Sequence, residues 1–168
     1  MTRPASAPAM ADLHRLLDDL VSEVPGTEVA VLLSTDGLPL AASREVNRDA
    51  GELVAAAAAG LHALAVVAGS SIHGGTTLRT IVEMEHVLLA IEPAGDSAVL
   101  AVAFSGAPDP ASVNGPVTAA ASQAAKALAA VHAARRANAP DAADPAAPGT
   151  KHRAGRHARA DDDAFATG

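Results

Sequence analysis

The residue types that could do chemistry gather in one short run: Gly69, Ser70, Ser71, Ile72, His73, Gly74 and Gly75. Serine, histidine and glycine together raise the question of a nucleophile, its base and a tight backbone turn. A nucleophile elbow requires Gly-x-Ser-x-Gly between a strand and a helix. This run lacks that pattern and falls between a helix and a strand, so it reads as a flexible connection. Phosphate binding is the next chemistry to weigh. Gly74, Gly75, Thr76 and Thr77 carry no lysine and enter a strand, whereas a phosphate-binding loop places Gly-Lys-Ser/Thr at the opening of a helix. The chain is therefore not expected to bind nucleotide itself.

Other polar groupings resolve in the same direction. Glu83 and Glu85 are two apart on an expected strand and would share a face, but no basic group is expected beside them. A solvated edge is the better reading than an acid/base pair. Seven histidines raise the question of a metal. His62 falls on a helix, His73 in a loop, His86 in a turn, and His14 and His132 on different helices. None makes the i, i+4 pair of a helical metal site. His152 and His157 lie in the tail. Cysteine is absent, which excludes disulfides and thiolate ligands and fits a reducing cytosol. No catalytic residue, cofactor or metal is expected. Lys151, Arg153, Arg156 and Arg159 form a basic cluster, which Asp161, Asp162 and Asp163 offset at once, so it reads as a solvated, charge-mixed tail.

Composition narrows the partners. The net charge is −7, which repels phosphate backbones and anionic lipid surfaces. Phe104 and Phe165 are the only aromatics, so base-stacking platforms are missing and nucleic-acid binding is not expected. Hydrophobic residues make up 49% of the 168, enough for one cored domain with tails. Alanine supplies much of that fraction, so the core must rely on close approach. Residues 1–9 carry no apolar signal segment. Residues 53–72 are uncharged and long enough to span a bilayer. They are mostly small, include His62 and follow Asp49 and Glu52, and alanine gains little from lipid. No membrane insertion is expected.

The elements that must position these residues follow from periodicity. Leu13, Leu16, Leu17, Leu20, Val21 and Val24 make one helical stripe over 10–24, stopped by Pro25 and Gly26. An apolar strand over 28–34 leads through an Asp36-Gly37 hairpin turn to a strand at 38–43. Pro39 pushes that strand to a sheet edge. Asp49, with Glu52 three residues on, predicts the cap of a helix over 50–68. Leu53, Ala57, Leu61, Leu64 and Val67 form a stripe on it, yet its other faces are also small and apolar. Such a helix needs cover on more than one side. After the loop at 69–75 come strands at 77–84, 87–91 and 99–104, with a turn at Glu85 and His86. A loop at 106–114 precedes a last helix, with Pro116 at its first position and Asn114 or Gly115 capping. Val117, Ala121, Ala124, Leu128 and Val131 mark its buried side, and Arg135 and Arg136 suit its C-terminus. The runs 29–33, 87–91 and 99–104 are apolar throughout and should be central; 38–43 and 77–84 should be edges. The predicted class is α+β, a five-stranded antiparallel sheet with helices on its faces, spanning 10–137. Residues 1–9 and 138–168 read as disordered.

With these elements in place, the sequence resembles the roadblock/dynein light chain family over residues 10–135. The resemblance rests on Val24-Pro25-Gly26, on V-L-L-S-T-D-G-L-P-L at 31–40 and on the alanine-rich helix at 53–69. It extends to R-T-I-V-E-M-E-H at 79–86 and G-D-S-A-V-L-A-V at 95–102. It departs at His86, which runs straight into Val87 where a glycine would be expected. The nearest likeness is to small bacterial members encoded beside a Ras-like GTPase and a sensor-kinase-like protein. The resemblance implies a profilin-like αββαβββα fold and a homodimer joined through the second helix and third strand. It also implies a cytoplasmic, non-enzymatic adaptor that binds and regulates a small Ras-like GTPase. Some relatives stimulate hydrolysis without lending an arginine. Alternatives are a pure scaffold for the sensor-kinase-like protein, or a small-molecule sensor.

The residues' own pattern points to the same contact. An unpaired edge strand and a half-covered helix are both met by one isologous pairing. The expected interface comprises Leu53, Ala57, Gly60, Leu61, Leu64 and Val67 on the helix. On the strand it comprises Leu78, Arg79, Thr80 and Ile81, with Arg79 either meeting a partner GTPase or pairing with Glu83.

Overall fold

The computed structural model describes residues 6–106 and 108–137. Leu13, Leu17 and Leu20 recur at helical spacing and are buried. They fix one side of α1 (Ser6–Glu23), which begins four residues before the expected Met10. Gly26, at a φ of 82°, turns the chain into β1 (Thr27–Ser34). Gly37, at a φ of 89°, turns it back into β2 (Pro39–Ala42).

α2 (Arg48–Ser71) departs from expectation at both ends. Its cap is Asn47, whose side-chain oxygen accepts the Ala50 N–H at 2.8 Å. Asp49 lies instead in the first turn, where its charge suits the positive helix end. The Arg48 guanidinium meets Glu52 at 2.8 Å across one turn, and the hydrogen bond and charge of Glu52 raise its pKa. At the other end the helix runs through Gly69 to Ser71, so both serines of the Ser/His run are helical.

The chain then forms β3 (Thr80–Glu83), β4 (Val87–Pro93), β5 (Ala98–Ser105) and α3 (Pro110–Ala137). The Met84 N–H donates to the Val87 carbonyl at 2.8 Å, closing the expected turn at Glu85 and His86. Register follows from it: Thr80 pairs with Ile91 and Val82 with Leu89. β3 is shorter than the expected 77–84. α3 starts six residues earlier than Pro116. The Asp109 carboxylate accepts the Ala111 N–H at 3.1 Å and Pro110 takes the first helical position, a stronger start signal than the one further on. Pro116 therefore lies inside the helix.

The five strands form one antiparallel sheet in the order β2-β1-β5-β4-β3, with β2 and β3 at the edges as expected. Strand alternation divides the core. Leu32, Leu88, Leu100, Val102 and Phe104 pack with Leu13 and Leu17 of α1 and Val117, Ala121 and Ala124 of α3. Val31, Leu33, Ile91, Val99 and Ala101 face the other way and meet Ala55 and Ala58 of α2. Two helices thus cover one face, and α2 alone covers the other. The element order αββαβββα and the α+β class agree with the sequence reading.

Candidate interaction surface

α2 is built in two halves around its axis. Gly51, Ala55 and Ala58 are buried on the sheet, with Val54, Ala59 and Leu61 packed beside them. Side chains this small let the helix lie close to the strands. The opposite side is open. Leu53 is 73% exposed, Leu64 68% and Val67 63%, and Ala57 and Gly60 are exposed between them. Positions 53, 57, 60, 64 and 67 alternate by four and three, the repeat that forms a seam between two packed helices. Leu61 is the exception among the expected helix contacts. It lies one residue round from Gly60 and turns toward the sheet.

Gly60 sharpens the reading. A Cβ added there would meet no atom within 4 Å. Mid-helix glycine costs about 1 kcal/mol relative to alanine, and no contact among the described residues requires it. A glycine in the middle of an open apolar seam permits a second backbone to approach closely. By length and composition α2 could also cross a membrane; one of its sides is already packed on the sheet.

β3 adjoins this surface at the sheet edge. Thr80 and Val82 face the α2 side, while Ile81 packs against the α1/α3 core. Leu78 is 79% exposed. A cleft of about 440 Å³ opens between α2 and the chain returning to β3, lined by His62, Val66, Ser70, Gly75, Thr76, Thr77 and Pro93. Two buried polar atoms of this region, His62 Nδ1 and Thr80 Oγ1, have no hydrogen-bond partner among the described residues.

Arg79 does something the sequence reading did not foresee. It neither pairs with Glu83 nor lies open to solvent. Its Nε and Nη2 donate to the Glu92 carboxylate at 2.9 and 2.6 Å. Nη1 donates to the Asn114 side chain and Nη2 to the Thr118 hydroxyl at 2.6 Å. The Thr118 hydroxyl donates in turn to Glu92 at 3.2 Å. The Arg79 and Glu92 side chains are 19% and 10% exposed. Arg79 is thus the knot that ties the start of β3 to β4 and α3, and is not a free contact for a partner. Glu92, Asn114 and Thr118 were missed. The signal existed: counting back from the turn at Glu85 and His86, Arg79 falls opposite Glu92, a lone carboxylate ending an apolar strand.

The remaining polar candidates stay apart. His14 Nδ1 lies 2.9 Å from the Ala42 carbonyl oxygen, His86 lies 3.6 Å from Glu85, and His73 takes a φ of 57° after the end of α2. No three His, Asp or Glu side chains gather among the described residues. Glu83 ends β3 while Glu85 lies in the following turn, so they do not share a strand face. The tail cluster, His152, His157 and the expected disordered tail at 138–168 lie outside the described residues, as do 1–5.

Comparison with known proteins places this geometry. Residues 13–104 match the Roadblock/LC7 domain family. A Roadblock/LC7 domain from Streptomyces avermitilis is 32% identical, with a TM-score of 0.65 over 69% of this chain and 97% of that one. Myxococcus xanthus MglB is 16% identical, with a TM-score of 0.65 over 78% and 95%. Acanthamoeba castellanii profilin II is 15% identical, with a TM-score of 0.50 over 68% and 97%, and shares the fold. No curated protein matches the sequence.

Proposed function

This chain belongs to the Roadblock/LC7 domain family, and we propose that it is a cytoplasmic, non-enzymatic adaptor that forms a homodimer and binds and regulates a small Ras-like GTPase. The single observation that carries the reading is the exposed seam Leu53, Ala57, Gly60, Leu64 and Val67 on α2. Monomeric proteins rarely leave a large apolar patch uncovered. Two-fold pairing of α2 with α2 and of β3 edge with β3 edge would cover it, and an interface of roughly 1,600 Å² is the usual size. The paired helices and joined sheet would then form the platform for the GTPase, acting by favouring one switch conformation.

Two measurements test the parts separately. Gly60→Ala should raise the stability of the isolated fold by up to about 1 kcal/mol in urea unfolding while weakening self-association in sedimentation. Tighter association would contradict a close helix approach at that position. Co-purification with a small Ras-like GTPase loaded with GDP or GTP should show preference for one form. Equal retention of both would leave only a scaffold, and retention of neither would remove the GTPase from the proposal.

A further inference from the structure

We propose that the Arg79 knot is a positioning device for self-association, through which α3 controls how the β3 edge is presented on the far side of the sheet. The inference rests on the homodimer proposed above and adds a residue set, Glu92, Asn114 and Thr118, that lies outside the seam. Side chains alternate along the chain into β3. Ile81 packs on the α1/α3 side, and Arg79 reaches Asn114 and Thr118 of α3 on that same side. Thr80, paired with Ile91, projects on the side of α2, and we place Leu78 on that side by carrying the alternation one residue before Arg79. Leu78, 79% exposed, is the large apolar residue at the entrance to the β3 edge.

What holds that alternation at its start is the guanidinium. Residues 74–79 belong to neither helix nor strand, so no ladder fixes Leu78 directly. A guanidinium presents its donors in a rigid planar fork. Here the fork is met from two elements: the Glu92 carboxylate on β4, and the Asn114 and Thr118 side chains on α3. A partly buried ion pair gives little net stability against an apolar substitute, but its directional bonds can select one arrangement of the chain. Shifting Thr118 or Asn114 would release one arm of the fork and let the approach to β3 turn, moving Leu78 away from the edge where a second copy docks.

Thr118 gives the clean test because it lies on α3, across the sheet from α2. Its hydroxyl touches both members of the ion pair, Arg79 and Glu92, so a change there reaches the seam through that pair. In sedimentation of the full chain, Thr118→Val should raise the dimer dissociation constant about tenfold, the shift produced when roughly one chain in three keeps the docking arrangement and both copies need it. Thr118→Ser, which keeps the hydroxyl, should restore the unaltered value. Amide exchange at 76–79 should quicken in the valine variant and not in the serine variant. Asn114→Ala serves as the second variant and should weaken association in the same way. Unaltered dimer affinity in both Thr118→Val and Asn114→Ala would overturn the positioning role while leaving the homodimer intact. An unsubstituted chain that stays monomeric would instead remove the reading on which the inference rests.

Discussion

In the proposed homodimer, Leu64→Asp should leave a folded monomer. In the isolated chain Leu64 is 68% exposed, so a carboxylate there is solvated and the fold keeps its stability. Surface substitutions of this kind usually stay within about 0.5 kcal/mol. In a two-fold pairing the same change enters the seam twice. Each copy loses the burial of a leucine, worth about 1.5–3 kcal/mol, and each must desolvate a carboxylate facing its twin. The dissociation constant should rise at least about 100-fold. Light scattering and circular dichroism together check the result: the mass halves and the helix signal stays. An intact dimer would show that the seam lies outside the contact.

Arg79→Met should destabilise the fold itself, and by more than any exposed charge would. Glu92, 10% exposed, would lose its ion-pair partner, and the Asn114 and Thr118 side chains would lose the guanidinium they accept from. Removing one member of a buried pair costs about 3–5 kcal/mol. The lower end applies because 19% of the Arg79 side chain meets water. Urea unfolding should therefore show a loss of about 3 kcal/mol. Replacing Glu92 by Met in the same chain should recover most of it, since no uncompensated charge would then remain. A loss under about 1 kcal/mol for the single change would mean that the pair behaves as an exposed surface bridge.

The fold was legible because its signals are local. Leu13, Leu17 and Leu20 announce α1, and the apolar runs of β1, β4 and β5 announce central strands. Asp36-Gly37 and the Glu85-His86 turn set the hairpins. The start of α3 was hidden because Asp109 and Pro110 sit in a stretch of loop-forming residues, where a cap and a first-turn proline look like punctuation. The rest was hard to read because alanine is uninformative. In α2 every side is small and apolar, so periodicity alone placed Leu61 beside Leu64. Only packing separates Ala55, Ala58 and Leu61 on the sheet from Leu53, Gly60 and Leu64 outside. Arg79 and Glu92 are 13 residues apart and meet by strand register. Their bond to α3 joins residues up to 39 apart, which no local pattern reveals.

Whether a second copy closes over the outer side of α2 decides the rest. Sedimentation equilibrium of the unaltered 168-residue chain across a concentration series measures it directly. A reversible association giving twice the chain mass supports the account; a single species of one chain mass at every concentration contradicts it.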